Sequence, residues 1–165
     1  MKNKLIHSDY NRTTGISTVI IENKYGVFRG EAFLHPEDKK YESNYFGCQI
    51  AEARCMIQTR KAQIEDLNFQ IKTLKNFENV LKNSKYYNPD SFECRKLRKQ
   101  IYALNKQKQH LIEANNQTNR NIVASEEHRR ELLHQIHTKK LFDPQETLFD
   151  IADTEAKLNL TKNYI

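Results

Sequence analysis

The sequence IAEARCMIQTRKAQIEDLNFQIKTLKNFENVL, residues 50–81, carries a seven-residue apolar repeat. Isoleucine occupies positions 50, 57, 64 and 71, and a second seven-residue series that begins three residues later holds Ala53, Arg60, Leu67, Leu74 and Leu81. A repeat of this spacing predicts a helix that buries one face against another helix. Because residues 44–83 contain no Pro, we predict one helix of about forty residues, roughly 60 Å long.

A second helix is predicted beyond the break at residues 82–88. Pro89, Asp90 and Ser91 form a helix start in which Asp90 or Ser91 is the N-cap. Near Ser125 the pattern weakens, which predicts a kink or a new helix start before helical spacing resumes to about Leu141. The apolar positions of this second segment are Leu97, Ile101, Leu104, Leu111 and Ile122.

A short loop between two long helices favours an antiparallel hairpin. Pairing positions whose numbers sum to about 178 places Leu74 opposite Leu104. The polar positions coincide as well, because Arg60 falls near Thr118 in the same register. The predicted seam consists of Leu67, Leu74, Leu104 and Leu111.

The two ends of the chain have different predicted structures. Residues 16–22 and 27–34 are rich in β-branched and aromatic residues and flank a turn at 23–26, which predicts a β-hairpin. A hairpin is marginal alone, so its apolar face should pack on a helix. Residues 143–146, DPQE, have the pattern of a helix start and predict a last helix from Pro144 to about Leu158.

The predicted fold class is therefore α+β, mostly α. An N-terminal β-hairpin region (residues 1–43) packs on a long antiparallel helical hairpin, or coiled coil (residues 44–141), and an acidic C-terminal helix and tail follow (residues 142–165). The mean hydropathy of −0.85, with 29% charged residues, fits an elongated helical protein better than a compact enzyme.

The net charge of +6 is unevenly distributed along the chain. Residues 85–141 sum to +6 and residues 142–165 to −3, while residues 1–48 and 49–84 sum to +1 and +2.

No apolar run approaches the roughly 18 residues of a membrane span, and the first residues lack the apolar core of a signal peptide. We therefore expect a cytoplasmic protein that binds no membrane.

Cysteine and histidine give no catalytic or metal pattern. Cys48, Cys55 and Cys94 form no CxxC pair, so inert thiols are expected. Glu131, His134 and His137 share a helix face, with Glu127 and His128 nearby, but a di-metal bundle needs a second such motif and the sequence has none. Gly-rich phosphate loops and nucleophile motifs are also missing. The sequence predicts no enzyme activity, no metal, no cofactor and no small-molecule substrate.

One face of the second helix carries the strongest functional signal. Five residues fall within about 100° on a helical wheel, opposite the predicted seam. Such a row could follow a phosphate backbone while its tyrosine stacks on a base. The alternative is the ordinary charged outer face of a two-helix coil. We call this row the basic stripe, and it consists of Arg95, Arg98, Lys99, Tyr102 and Lys106.

The loop between the helices is a second candidate. Lys82, Lys85, Tyr86 and Tyr87 bring basic and aromatic residues together in a predicted exposed tip. Exposed tyrosines on a rigid scaffold are typical binding anchors. The alternative is that one tyrosine folds back and caps the end of the coil.

Three segments resemble a known group of proteins. Residues 24–32 (KYGVFRGEA), 35–38 (HPED) and 46–54 (FGCQIAEAR) resemble motifs of small accessory proteins encoded by phages and mobile elements of low-GC Gram-positive bacteria. The resemblance covers roughly residues 15–60 and carries no catalytic residues. It implies a setting in which such proteins blunt host defences, including as anti-CRISPR inhibitors.

These observations lead to three hypotheses. The first is a phage-encoded inhibitor of a host nucleic-acid-targeting complex, such as a CRISPR effector, that binds stoichiometrically to protein, RNA or both. The second is a nucleic-acid-binding accessory protein of phage replication or packaging, and the third is a structural coiled-coil adaptor. The expected partner is a host ribonucleoprotein or nucleic acid, with RNA favoured, and a homodimer is left open.

Overall fold

The computed structural model describes residues 3–34 and 43–139. A three-stranded antiparallel sheet comes first, and two long helices follow, so the α+β, mostly helical class is confirmed. The predicted helix from Pro144 to about Leu158 lies outside the described residues. The elements are β1 (Lys4–Asn11), β2 (Ile16–Asn23), β3 (Gly26–Phe33), α1 (Asn44–Lys82) and α2 (Phe92–Lys139).

The predicted hairpin corresponds to β2 and β3, which pair antiparallel up to Asn23 and Gly26. Gly26 has a φ of 136°, a conformation that residues with a side chain rarely adopt. The side-chain Oδ1 of Asn23 accepts a hydrogen bond from the backbone N–H of Tyr25 at 2.8 Å. The turn is therefore closed by the two residue types that the sequence places there.

The sequence analysis missed β1, which pairs with β2 and makes the sheet three-stranded. Most of its residues are exposed on both faces, so no apolar alternation marks it. A turn signal was nevertheless present at Asn11 and Gly15. The Oδ1 of Asn11 accepts the N–H groups of Thr13 and Thr14, and Gly15 adopts a φ of 69°.

The chain forms two compact units. The first, which we call the sheet unit, contains the sheet together with residues 44–59 of α1 and 116–139 of α2. Its core joins Val19 and Ile21 of β2 to Ile50, Cys55 and neighbouring residues of α1. The apolar face of β2 and β3 is buried against a helix, as the sequence analysis predicted.

The second, which we call the two-helix unit, consists of residues 60–115. Leu67, Ile71 and Leu97 are buried in it, and Glu78 of α1 forms an ion pair with Arg98 of α2 at 3.5 Å. In the sheet unit, Arg54 pairs with Glu126 at 2.8 Å. The residue numbers of these pairs sum to 176 and 180, on either side of the predicted 178.

The predicted seam leucines differ in burial. Leu67 is 7% exposed, whereas Leu74, Leu104 and Leu111 are only partly buried. The coiled-coil packing of these four side chains stays a prediction.

Two details of α2 separate the alternatives left open by the sequence. Ser91 is its N-cap, because its Oγ accepts the N–H of Cys94 at 3.2 Å. The predicted new helix start near Ser125 is wrong, since α2 is continuous from Phe92 to Lys139, and the alternative, a kink, stays a prediction. The hydroxyl of Ser125 instead donates to the carbonyl of Asn121, one turn earlier in the same helix, at 2.6 Å.

Among the described helices, none is apolar enough over 18 residues to cross a membrane.

Candidate nucleic-acid interface

The positive charge of the chain belongs to the two-helix unit. Residues 60–115 contain 12 Lys and Arg against 6 Asp and Glu, a net charge of +6. The remaining residues contain 15 of each sign and are balanced. The whole excess of the protein is therefore placed in one small unit, which makes that unit the candidate site for a polyanion.

Most of the basic stripe is exposed along α2. Arg95, Lys99, Tyr102 and Lys106 are all solvent-exposed, and the Tyr102 side chain is 73% exposed. No ion pair or side-chain hydrogen bond joins these four residues to another residue of the described part of the chain. Their charges and ring are consequently available to a partner.

Arg98, the fifth residue of the stripe, is engaged within the protein. Its guanidinium contacts the Glu78 carboxylate and also donates to the hydroxyl of Tyr87 at 3.2 Å. Glu78 in turn binds Lys82 at 3.2 Å, and the hydrogen bond from Lys82, aided by Arg98, lowers the pKa of the Glu78 carboxyl. Arg98 thus connects α2 to α1 and to the loop. These contacts depend on how the two helices pair, so a helical wheel of α2 alone could not predict them.

The two tyrosines of the loop tip match different alternatives of the sequence analysis. Tyr87 is partly buried and folds back to Arg98, which matches the capping alternative. Tyr86 is 88% exposed, and Lys85 beside it is exposed as well. Tyr86 and Lys85 are therefore the part of the tip that a partner could reach.

Sequence reasoning passed over Phe92, the first residue of α2. Its side chain is 69% exposed. Phe92 precedes Arg95 by three residues and Lys99 by seven, so it extends the same face of the helix toward the loop. This spacing was readable in the sequence, but the residue was treated there only as part of a helix start.

The histidine-rich part of α2 forms no metal site in the described structure. No three His, Cys, Asp or Glu side chains come together among the described residues. His128 and His134 each interact with other groups of the protein. The side chain of His137 lies outside the described part.

Gly30, Gly47 and Arg54, from the segments 24–32 and 46–54 that the sequence analysis singled out, have packing roles in the sheet unit. A Cβ on Gly30 would overlap the carbonyl oxygen of Ala51, so β3 and α1 approach closely at this point. Gly47 likewise leaves space for the Ser17 side chain. Arg54 donates to the carbonyl of Glu31 at 2.7 Å and also pairs with Glu126. These motif positions hold the sheet unit together.

A cavity of about 620 Å³ lies in the sheet unit. Arg129 is buried in its wall, with its guanidinium 4.7 Å from the centre of the Phe46 ring. Leu34 and Ser43 also line it, so it borders a stretch of chain that the structure does not describe. We therefore assign no ligand to it.

Comparison with protein-family models, curated proteins and solved structures finds no match. The interpretation of the site rests on the residues of this chain.

Proposed function

We propose that this protein is a non-enzymatic binding protein whose two-helix unit holds the phosphate backbone of a host nucleic acid, with RNA favoured. The observation that carries the proposal is the uncompensated row of Arg95, Lys99 and Lys106 within a unit that holds the entire net charge. Cations that neutralise phosphates release condensed counterions, and this release supplies most of the affinity of such sites. The tip residue Lys85 extends the same cationic surface.

The proposed role is inhibition of a host nucleic-acid-targeting complex, such as a CRISPR effector, by stoichiometric binding. The resemblance of residues 24–32, 35–38 and 46–54 to phage accessory proteins supports this setting. The acting form is a helical hairpin with coiled-coil packing and a short C-terminal helix, present in the host cytoplasm. Binding of RNA within the host ribonucleoprotein would block that complex without turnover.

The test compares two variants that remove the same charge from the same unit. Arg95→Gln, Lys99→Gln and Lys106→Gln together neutralise the α2 row and spare Arg98. Lys61→Gln, Lys72→Gln and Lys75→Gln neutralise three exposed lysines of α1. Equilibrium binding to RNA is then measured across a salt series.

If the row contacts phosphates, the first variant flattens the slope of log affinity against log salt by about 2, at roughly 0.7 per contact. The α1 variant should retain a slope closer to that of the wild type. Equal losses in the two variants would mean that binding follows total charge and not the α2 row. Unchanged binding in the first variant would favour the structural adaptor.

The inhibitor and the phage accessory protein differ in what they capture. Pull-down from host lysate, with protein and nucleic acid both sequenced, should return a defined host ribonucleoprotein. Recovery of phage nucleic acid alone would favour a role in phage replication or packaging.

A further inference from the structure

Phosphate binding explains the cations of α2 but leaves its exposed aromatic rings without a role. Phe92 and Tyr102 are 69% and 73% exposed, although aromatic side chains bury large areas when they serve a core. Both lie on the face that carries Arg95, Lys99 and Lys106. This face of α2 therefore carries two exposed rings among its cations.

The neighbours of the two rings distinguish them from other exposed aromatics. One turn away from Tyr102 are Arg98, Lys99 and Lys106, and one turn from Phe92 are Arg95 and Lys96. No acidic residue stands one turn away from either ring.

Phe69 of α1 provides the contrast within the same unit. Its exposed fraction is 71%, close to the 73% of Tyr102, but Glu65 and Asp66 lie one turn before it and Lys72 is the one cation a turn after it. The charged residues one turn from Phe69 are thus mostly acidic, whereas those one turn from the α2 rings are all basic, so a polyanion would be attracted more strongly to the α2 rings.

The exposed rings of the row favour single-stranded over double-stranded nucleic acid. In a duplex the bases are stacked on one another, so their faces are closed to a protein side chain. Unpaired bases can be splayed out and stacked on aromatic rings while cations follow the backbone. Phe92 and Tyr102 are about 15 Å apart along the helix axis, and Arg95 and Lys99 of the same row lie between them.

We propose that the two-helix unit binds single-stranded nucleic acid, with Phe92 and Tyr102 stacking on unpaired bases while Arg95, Lys99 and Lys106 hold the phosphates. This inference rests on the proposed function and names its substrate class. Tyr86, exposed at the loop tip, lies at the end of the same unit and could accept a further base. Single-stranded RNA and DNA share the chemistry of recognition, and the test includes both.

The first experiment measures the affinity of the full-length protein for four probes of equal length: a mixed-sequence RNA strand, its DNA equivalent and the two corresponding duplexes. The variant Phe92→Ala with Tyr102→Ala should lose at least about 25-fold in affinity for the single strands, since each stacked base is worth roughly fivefold or more. Its affinity for the duplexes should change little. Phe69→Ala with Phe77→Ala is the matched control and should behave like the wild type.

The second experiment uses the absence of tryptophan from the chain. Tyr102→Trp introduces a single indole, whose fluorescence should be quenched when a single strand binds and a base stacks on it. Phe69→Trp places the same fluorophore at an equally exposed position of α1 and should report no quenching. Comparable quenching of both would mean that the rings do not mark a base-stacking row.

The outcomes separate the two proposals. Equal affinity for duplexes and single strands, with no effect of the aromatic substitutions, overturns the inference and leaves phosphate binding in place. Failure to bind any of the four probes overturns both. A stronger affinity for the RNA strand than for the DNA strand would support the inference and assign a contact to the 2′-hydroxyl.

Discussion

Gly30 lies where β3 meets α1, and its lack of a side chain is what allows the approach. A Cβ at this position would overlap the Ala51 carbonyl oxygen and lie 2.8 Å from the Cys55 nitrogen, and both of these atoms belong to the helix backbone. Gly47 faces a different obstacle, since its nearest neighbour is the hydroxyl of the Ser17 side chain. Backbone yields much less readily than a side chain.

Gly30→Ala should therefore lower the free energy of unfolding by about 1–3 kcal/mol or more, the usual cost of overpacking. Gly47→Ala should cost less, and Ser17→Ala in the same chain should restore part of that loss by removing the hydroxyl. Chemical denaturation of the three variants measures the differences. A Gly30→Ala protein as stable as the wild type would contradict the close approach of β3 and α1.

Glu78 should give the two-helix unit a dependence on acid pH. The hydrogen bond from Lys82, with help from Arg98, lowers the pKa of its carboxyl below the ordinary 4.5. A depressed carboxyl pKa contributes stability that is present above the unfolded value and is lost as the pH falls through the folded value. We expect the wild type to lose stability below about pH 4.5.

The control for this prediction is Glu78→Gln, which cannot ionise. Its unfolding free energy between pH 6 and pH 3 should fall less steeply than that of the wild type. Parallel curves for the two proteins would show that the Glu78 contacts contribute no pH-dependent stability.

Helices α1 and α2 were predictable because periodicity accumulates over many residues and a cap depends only on residues close together in the sequence. The repeat from Ile50 to Leu81 averages over a long stretch, and the Ser91 cap is a local pattern of few residues. Strand β1 was not predicted because both of its faces are mostly exposed, so its sequence shows no alternation of apolar and polar residues. The contacts of Arg98 with Glu78 and Tyr87 were not predicted, because they depend on the relative placement of two helices and a loop.

The unequal burial of the seam leucines yields a prediction about α1. Leu67 is 7% exposed and Leu74 is partly buried, although both occupy the same position of the repeat. Leu67→Ala should cost about 2–5 kcal/mol, the range for buried leucines, and Leu74→Ala should cost less. Thermal and chemical unfolding of the two variants test this order. A larger loss for Leu74→Ala would show that the seam packs most tightly near the loop.

The division of charge gives the two compact units different expected roles. The sheet unit is built around close packing at Gly30 and Gly47, whereas the two-helix unit carries the net charge of +6 and the exposed rings of α2. Substitutions of exposed α2 cations should therefore alter binding and leave the sheet unit folded. In this proposal, the motifs that resemble phage proteins build the scaffold and the two-helix unit selects the partner.

The last prediction concerns how the full chain acts on its target. If it inhibits by occupying nucleic acid in a host ribonucleoprotein, inhibition should saturate at a fixed ratio of protein to complex. Chelation of divalent ions during pre-incubation of the protein should leave that ratio unchanged, because binding through the α2 row needs no metal. Raising the salt from physiological concentration toward 1 M, where the screening length falls to about 3 Å, should release the complex.

The Arg95, Lys99 and Lys106 triple glutamine variant should fail to inhibit, and the Lys61, Lys72 and Lys75 variant should inhibit with little loss. Nuclease treatment of the target before mixing should abolish capture by the wild type, because the row would then have no backbone to hold. Capture that survives both nuclease and high salt would mean that the contact is made with protein. In that case the binding surface would have to be sought in the sheet unit.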